Sequence, residues 1–250
     1  MVNVNSNSFT LLFAVIACVV SGTLLSAASL GLKEKQEINI KIDKQKSVLS
    51  AAGLLGEGDS PETISGWFDG DSASITSYLI EEATGNKFDE VSVELYLKKP
   101  SNYPELSLIY ESNKVGSECF ILPIVGKGLW GKMFGYLALS KDADNVLGIK
   151  FYNHKETPGL GAEITEPWFI EQFQQIEGKG KKLLRSGEGA WDERFEGITV
   201  LKGLSVADLP AEKQPYAVDG ISGATITSVG VQGILIKQIR DTYGPFLKQQ

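Results

Sequence analysis

Between Met1 and Leu32 there is no aspartate, glutamate, lysine or arginine. A 250-residue chain with 24 Lys+Arg and 31 Asp+Glu therefore carries its whole formal charge of −7 after that point. The acidic balance argues against nucleic acid as the main partner, because neutralising phosphates takes a basic face. Cysteine is scarce. Cys18 and Cys119 cannot build a disulfide framework, a Cys-x-x-Cys redox pair or a thiolate metal site. His154 is the one histidine, which leaves almost no scope for a histidine-rich metal centre. No metal-ligand set and no catalytic side chain stands out, so demanding chemistry must come from a cofactor or from carboxylates. What remains is an ordinary globular balance, 42% hydrophobic and 22% charged, which is not that of a disordered chain.

The uncharged start has a use. Phe9 to Leu32 reads FTLLFAVIACVVSGTLLSAASLGL, and at about 1.5 Å per residue it can cross a hydrocarbon core of roughly 30 Å. No basic region precedes it and its apolar run is long for a cleaved signal peptide, so it reads as a single uncleaved span. The rival reading is a signal peptide cut near Ser26-Ala27-Ala28-Ser29. Lys33 and Lys35 follow the span, and a simple positive-inside count would keep the rest of the chain in the cytoplasm. A span without charge is a poor candidate for an ion pathway. Residues 1–32 thus form an N-terminal segment with a transmembrane helix over about 9–32. Ile38, Ile42 and Leu49 recur at helical spacing, which extends a helical stalk over 33–55.

Residues 56–250 are the expected soluble domain. Gly56 to Asp71 has the composition of a loop. Alternation of Val91, Val93, Leu95 and Leu97 predicts a strand, and further strands are expected over Cys119–Val125, Phe134–Leu139, Val146–Tyr152 and near Ile198–Leu201. A helix is expected over Thr165–Ile176, with Pro167 in its first turn and Gly178 at its end. A last helix is expected from about Thr227 to Tyr243, stopped by Gly244-Pro245. The succession predicts an α+β fold: a single N-terminal transmembrane helix, then a largely antiparallel sheet with flanking helices.

Chemistry concentrates in Asp219-Gly220-Ile221-Ser222-Gly223-Ala224-Thr225-Ile226-Thr227-Ser228. Glycines permit close backbone approach to a ligand. Ser222, Thr225, Thr227 and Ser228 bring hydroxyls, and the start of the following helix can attract an anion. By composition alone the same stretch also reads as a helix cap with a flexible lead-in. It has neither the lysine of a phosphate-binding Walker loop nor the spacing of a dinucleotide fingerprint.

Asp219 to Thr225 resembles the Asp-x-x-Ser-Gly-Ala-Thr flavinylation motif of the bacterial FMN-binding domain family. Two further stretches resemble that family: Gly126-Lys127-Gly128-Leu129-Trp130-Gly131 and Glu156-Thr157-Pro158-Gly159-Leu160-Gly161-Ala162. The anchor and the Lys-Glu-Lys-Gln stalk extend the likeness to the C-subunit family of Na+-translocating NADH:quinone oxidoreductases, with the G-subunit family of Rnf electron-transport complexes as near relatives. The resemblance implies FMN esterified through its phosphate to the Thr225 hydroxyl, a phosphoryl-threonine made by a flavin transferase with FAD as donor and a divalent metal. It implies cofactor contacts at Asp219, Ser222, Gly223, Ala224 and Thr227. Trp130 could pack near the flavin ring, Glu156 and Thr157 could hydrogen-bond ring or ribityl atoms, and the backbone at Leu160 and Gly161 could approach a ring edge.

The resemblance further implies electron carriage from NADH toward ubiquinone or menaquinone, coupled to Na+ export, with other membrane proteins of the complex as partners and little activity alone. It places the protein in the bacterial inner membrane with its soluble domain on the periplasmic face, against the positive-inside count. The equivalent flavoprotein component of an Rnf-type ferredoxin:NAD electron-transport complex, which the motifs alone do not separate, a tethered flavin-binding sensor and an anchored ligand-binding domain remain as alternatives. Several residues are read as ordinary: His154, Lys179, Lys181, Lys182 and Lys202 as solvated, Cys119 as inert core, and Trp67, Trp168 and Trp191 as core or interface. On this reading Thr225→Val abolishes covalent flavin while Thr227→Val keeps it. In-gel flavin fluorescence of the denatured variants checks this, and the reverse outcome would reassign the attachment point.

Overall fold

The computed structural model describes residues 6–70, 73–174 and 180–250. The chain divides into two compact units, Met1–Asp43 and Lys44–Gln250. Helix α1 runs over Asn7–Ala51, a span of 45 residues and about 68 Å. Nothing from Asn7 to Asp43 is buried, and Leu12, Phe13, Ile16, Val20 and Leu24 all lie open. So much unpaired apolar surface is costly in water and favourable in lipid, and the helix is long and apolar enough to cross a membrane. Its last turns belong to the second unit, where Val48, Leu49 and Ala51 are buried. The helix ends as a glycine cap should: Gly53 takes φ +67°, Leu54 N donates to Leu49 O at 2.9 Å and Gly53 N to Ser50 O at 3.2 Å.

The short helix α2 (Pro61–Gly66) precedes β1 (Ile75–Glu81) and β2 (Lys87–Phe88); α3 (Val93–Lys98) leads to β3 (Leu106–Ser112), β4 (Cys119–Lys127), β5 (Lys132–Ser140) and β6 (Asn145–Asn153). After α4 (Pro167–Ile170) comes β7 (Lys181–Lys182). These strands form one seven-stranded sheet, ordered β2-β1-β3-β4-β5-β6-β7, antiparallel throughout. Beyond α5 (Trp191–Arg194), β8 (Thr199–Val200) and β9 (Ala217–Val218) form a parallel pair. The chain closes with α6 (Thr225–Gly233), a π-wound segment over Ile234–Tyr243 and α7 (Gly244–Leu247).

The larger core cluster lies on one sheet face. Phe120, Leu122 and Ile124 of β4, with Leu137 and Leu139 of β5, follow the period of two that a strand imposes. They pack with Val231, Ile234, Leu235, Ile239 and Phe246 from the C-terminal helices and with Phe169 and Phe173. Covering one face of an antiparallel sheet with helices is the expected α+β arrangement.

Local expectations fare unevenly. The three strands expected at 119–125, 134–139 and 146–152 are present, each drawn out to nine residues, and β8 lies within the expected 198–201 strand. The alternating stretch at 91–97 is a helix instead. Ser92 caps it by accepting from Leu95 N at 3.2 Å, and Glu94 pairs with Lys98 at 3.2 Å one turn on. Val91, Val93 and Tyr96 pack on the Leu79–Leu106–Leu108 cluster, while Leu95 and Leu97 stay about half exposed. The expected loop at 56–71 contains α2, capped by Ser60. The expected 165–176 helix is broken into a 3-10 turn at Gly161–Thr165, α4 and a second 3-10 turn at Glu171–Phe173; Ile176, Gly178 and Lys179 lie outside the described residues, as does Asp71. Gly244-Pro245 does not stop the last helix, because Pro245 sits in the first turn of α7, where no N–H is required.

Two glycines bring α6 against the β4–β5 hairpin. A Cβ on Gly230 would lie 2.1 Å from Lys127 O, and one on Gly126 would lie 2.5 Å from the Ile234 side chain. Gly230→Ala is expected to destabilise the fold by about 1–3 kcal/mol through overpacking. Gly233→Ala, with nothing within 4 Å, is expected to be neutral or to stabilise by up to about 1 kcal/mol from helix propensity. Denaturant midpoints of the two variants check the contrast.

Candidate functional site

The Gly126–Gly131 motif folds as the β4–β5 hairpin. Lys127 faces Lys132 across the ladder, and Gly128 N closes the loop on Gly131 O at 2.7 Å. That loop presents Leu129 and Trp130 to solvent, 49% and 65% exposed. The second motif, at 156–162, turns over Pro158-Gly159. Leu160 N donates to Thr157 O at 3.1 Å, and Gly159 takes φ +70°, the pattern of a type II turn. The third motif leads into α6. Gly223 takes φ +74°, Ala224 is the N-cap residue with no side-chain cap bond, and Thr225 begins the helix.

These three segments meet around Glu156, which is only 5% exposed. Its Oε1 accepts from Trp130 N at 2.9 Å and its Oε2 from Leu129 N at 3.1 Å. The Thr227 hydroxyl donates to Oε2 as well. The packing leaves no spare room, since a Cβ on Gly128 or Gly161 would lie 2.5–2.6 Å from the carboxylate oxygens. Burial works against ionisation of Glu156. The Thr227 hydroxyl and the two backbone amides outweigh it and hold the carboxyl below the usual glutamate range. Trp130 is tethered a second time, its indole Nε1 donating to Thr157 Oγ1 at 3.1 Å. His154 is half-buried rather than solvated, and its Nδ1 accepts from Glu156 N at 3.2 Å.

A cavity of about 270 Å³ opens here, lined by Trp130, Glu156, Thr157, Leu160, Gly161, Gly223, Ala224, Thr225 and Thr227. Leu129 and Ile226 line it too. Neither is among the site residues expected from sequence; apolar residues set inside runs of glycines and hydroxyls are the signal that could have found them. Thr225 is exposed, whereas Thr227 is 1% exposed with its hydroxyl proton committed to Glu156. That proton cannot also serve an anion. The arrangement offers an apolar rim of Leu129, Trp130, Leu160 and Ile226 next to an uncapped helix start with a free hydroxyl. A flat aromatic group carrying a phosphate fits that chemistry.

Asp219 and Ser222 do not line the cavity. The Asp219 carboxylate accepts from Val206 N at 2.6 Å and from Ser205 Oγ at 3.4 Å, and its backbone N donates to Gln172 Oε1 at 2.6 Å. It secures the approach to α6 against two neighbouring segments. Ser228 is buried and accepts from Ile221 N at 3.2 Å. Elsewhere, Lys202 is exposed, but Lys181 and Lys182 are not simply solvated: they bond Gln214 O and Asp144, each at 3.1 Å. Cys119 is buried, which pushes its thiol up to about 11, consistent with inert core. Trp168 is 43% exposed, and Trp67 is half-buried under Lys114. The Trp191 indole N–H is buried with no hydrogen-bond partner among the described residues.

Residues 128–239 match the FMN-binding domain family. The C subunit of the Na(+)-translocating NADH-quinone reductase of Yersinia pestis is 33% identical, over 99% of this chain and 94% of its own length. Its counterpart in Chlamydia muridarum is also 33% identical, over 91% of this chain and 87% of its own. The crystal structure of the same reductase component from Parabacteroides distasonis aligns with a TM-score of 0.68 at 29% identity, covering 88% of this chain and 98% of that one.

Because the Glu156 carboxyl is held down in the fold, its bonds contribute stability that is present above the unfolded value near 4.5 and is lost as pH falls through the lower folded value. Glu156→Gln is expected to cost about 1–3 kcal/mol at pH 7, as buried donors lose an acceptor. The gap to the parent is expected to narrow as pH drops below about 4.5. Chemical denaturation at pH 7 and pH 3 measures both.

Proposed function

The chain belongs to the C-subunit family of the Na(+)-translocating NADH-quinone reductase, and from that premise we propose that it is the membrane-anchored flavoprotein component of such a complex, carrying FMN ester-linked through Thr225. The observation that carries this reading is the contrast between two threonines. Thr225 is exposed, opens a nine-residue helix that no side chain caps, and lines the cavity. Thr227 is buried and donates its proton to Glu156. Of the two hydroxyls, only that of Thr225 is open to a transferase with FAD as donor.

The phosphate would lie at the positive end of α6, where first-turn N–H groups lack partners. Leu129, Trp130, Leu160 and Ile226 would hold the ring by apolar contact and limit water on one side. When bound, the flavin supplies the redox chemistry, taking up and passing on electrons; the protein supplies place and environment. Covalent linkage suits a domain on the periplasmic face, since a diffusible cofactor would be lost there. The α1 helix serves as the single-pass anchor, and the partners are the other membrane proteins of the complex and, during maturation, the flavin transferase. Coupling to Na+ export belongs to the assembly, as nothing in an uncharged span offers an ion path.

Co-expression of the full chain with a flavin transferase is expected to give a fluorescent band on a denaturing gel and a flavin-phosphate mass on the tryptic peptide containing 219–228. In the assembled complex this flavin is expected to bleach on NADH addition and recover with quinone. A fully active transferase that leaves the chain dark would overturn the proposal.

A further inference from the structure

We propose that Glu156 is a positioning residue for the flavin site, setting the separation between the Trp130 loop and the start of α6 without itself binding the flavin. This rests on the reading of the cavity as the flavin site. Both carboxylate oxygens are taken up by three donors of the protein: the amides of Leu129 and Trp130 and the Thr227 hydroxyl. A carboxylate is the suitable group, because it accepts on both oxygens and donates on neither. A glutamine offers one accepting oxygen and an NH2 that faces an N–H donor, so at least one of the amide bonds must break. Thr157 completes the arrangement through the Trp130 indole N–H. Glycines let the segments approach this closely: a Cβ on Gly128 or Gly161 would lie 2.5–2.6 Å from the Glu156 oxygens, and one on Gly230 2.1 Å from Lys127 O.

The width of the cavity therefore depends on a distance and not on a charge presented to the ligand. Aspartate in this place keeps the charge but shortens the reach by one methylene. Thr227→Val removes the hydroxyl bond and leaves both amide bonds. Thr157→Val frees the indole and leaves Glu156 untouched.

The test uses the full chain in its complex, flavinylated, in the parent and in Glu156→Gln, Glu156→Asp, Thr227→Val and Thr157→Val. The readouts are flavin on Thr225 by peptide mass, flavin fluorescence yield in the native state, and amide hydrogen exchange at Leu129 and Trp130. Both Glu156 variants are expected to carry flavin on Thr225, to lose most of the quenching by the Trp130 indole, and to exchange the two amides about tenfold faster, as expected for losing bonds to a charged acceptor. Thr227→Val and Thr157→Val are expected to fall between them and the parent in fluorescence, and these two decide the matter if a Glu156 variant fails to fold. Parent-like quenching in Glu156→Gln, or full restoration by Glu156→Asp, would overturn the proposal, the second by making charge the determinant. Absence of flavin from Thr225 in the parent would instead remove the reading of the site.

Discussion

A single buried carboxylate joins the parts of this site. Glu156 accepts from two amides of the β4–β5 loop and from a hydroxyl on α6, so it links segments separated by 26 and 71 residues in sequence. A buried charge is tolerable only when it is hydrogen-bonded on all sides. Here that requirement becomes an organising constraint: the loop, the turn and the helix must be in place together for the carboxylate to be satisfied. The surrounding glycines at 128 and 161 are the counterpart, since a side chain at either would occupy the carboxylate's space.

The sheet makes that meeting possible. Antiparallel β4 and β5 are joined by a tight hairpin, which projects Leu129 and Trp130 from the sheet end. Tertiary packing then lays α6 on the hairpin through Gly230, bringing the helix start to the same end. The helix has no side-chain cap because its N-cap residue is Ala224, which carries no acceptor, and hydroxyls further along the first turns bond elsewhere. Thr227 bonds Glu156 and Ser228 bonds the Ile221 amide. Fold and site are thus the same set of contacts seen from two sides.

A tethered electron carrier needs a cofactor that stays in place and a domain that stays at the membrane. On the proposed function, ester linkage at Thr225 would meet the first need and the long apolar helix α1 the second. Their separation in the chain matches the two compact units, with the boundary inside α1 at Asp43.

Much of this was legible in the linear chain. The uncharged run before Lys33 announces a helix long and apolar enough to cross a bilayer, from helix rise and bilayer thickness alone. The strands at 119–125, 134–139 and 146–152 were readable as short apolar runs, and their successive residues are buried on both faces over much of β4 and β5. The three glycine-rich motifs were visible as motifs. What the chain alone left undecided was side-chain direction. Glu156 read as a loop charge or a ligand contact, yet it is buried among donors from distant segments. Thr225 and Thr227 are alike in type and two residues apart, yet one is open and the other is consumed. The 91–97 stretch alternates like a strand, yet Ser92 and a hydrophobic cluster below it make a helix. Periodicity and composition are local properties, set by the geometry of the backbone. Whether a given carboxylate or hydroxyl faces solvent or a partner depends on which remote segments pack beside it, and only the folded chain decides that.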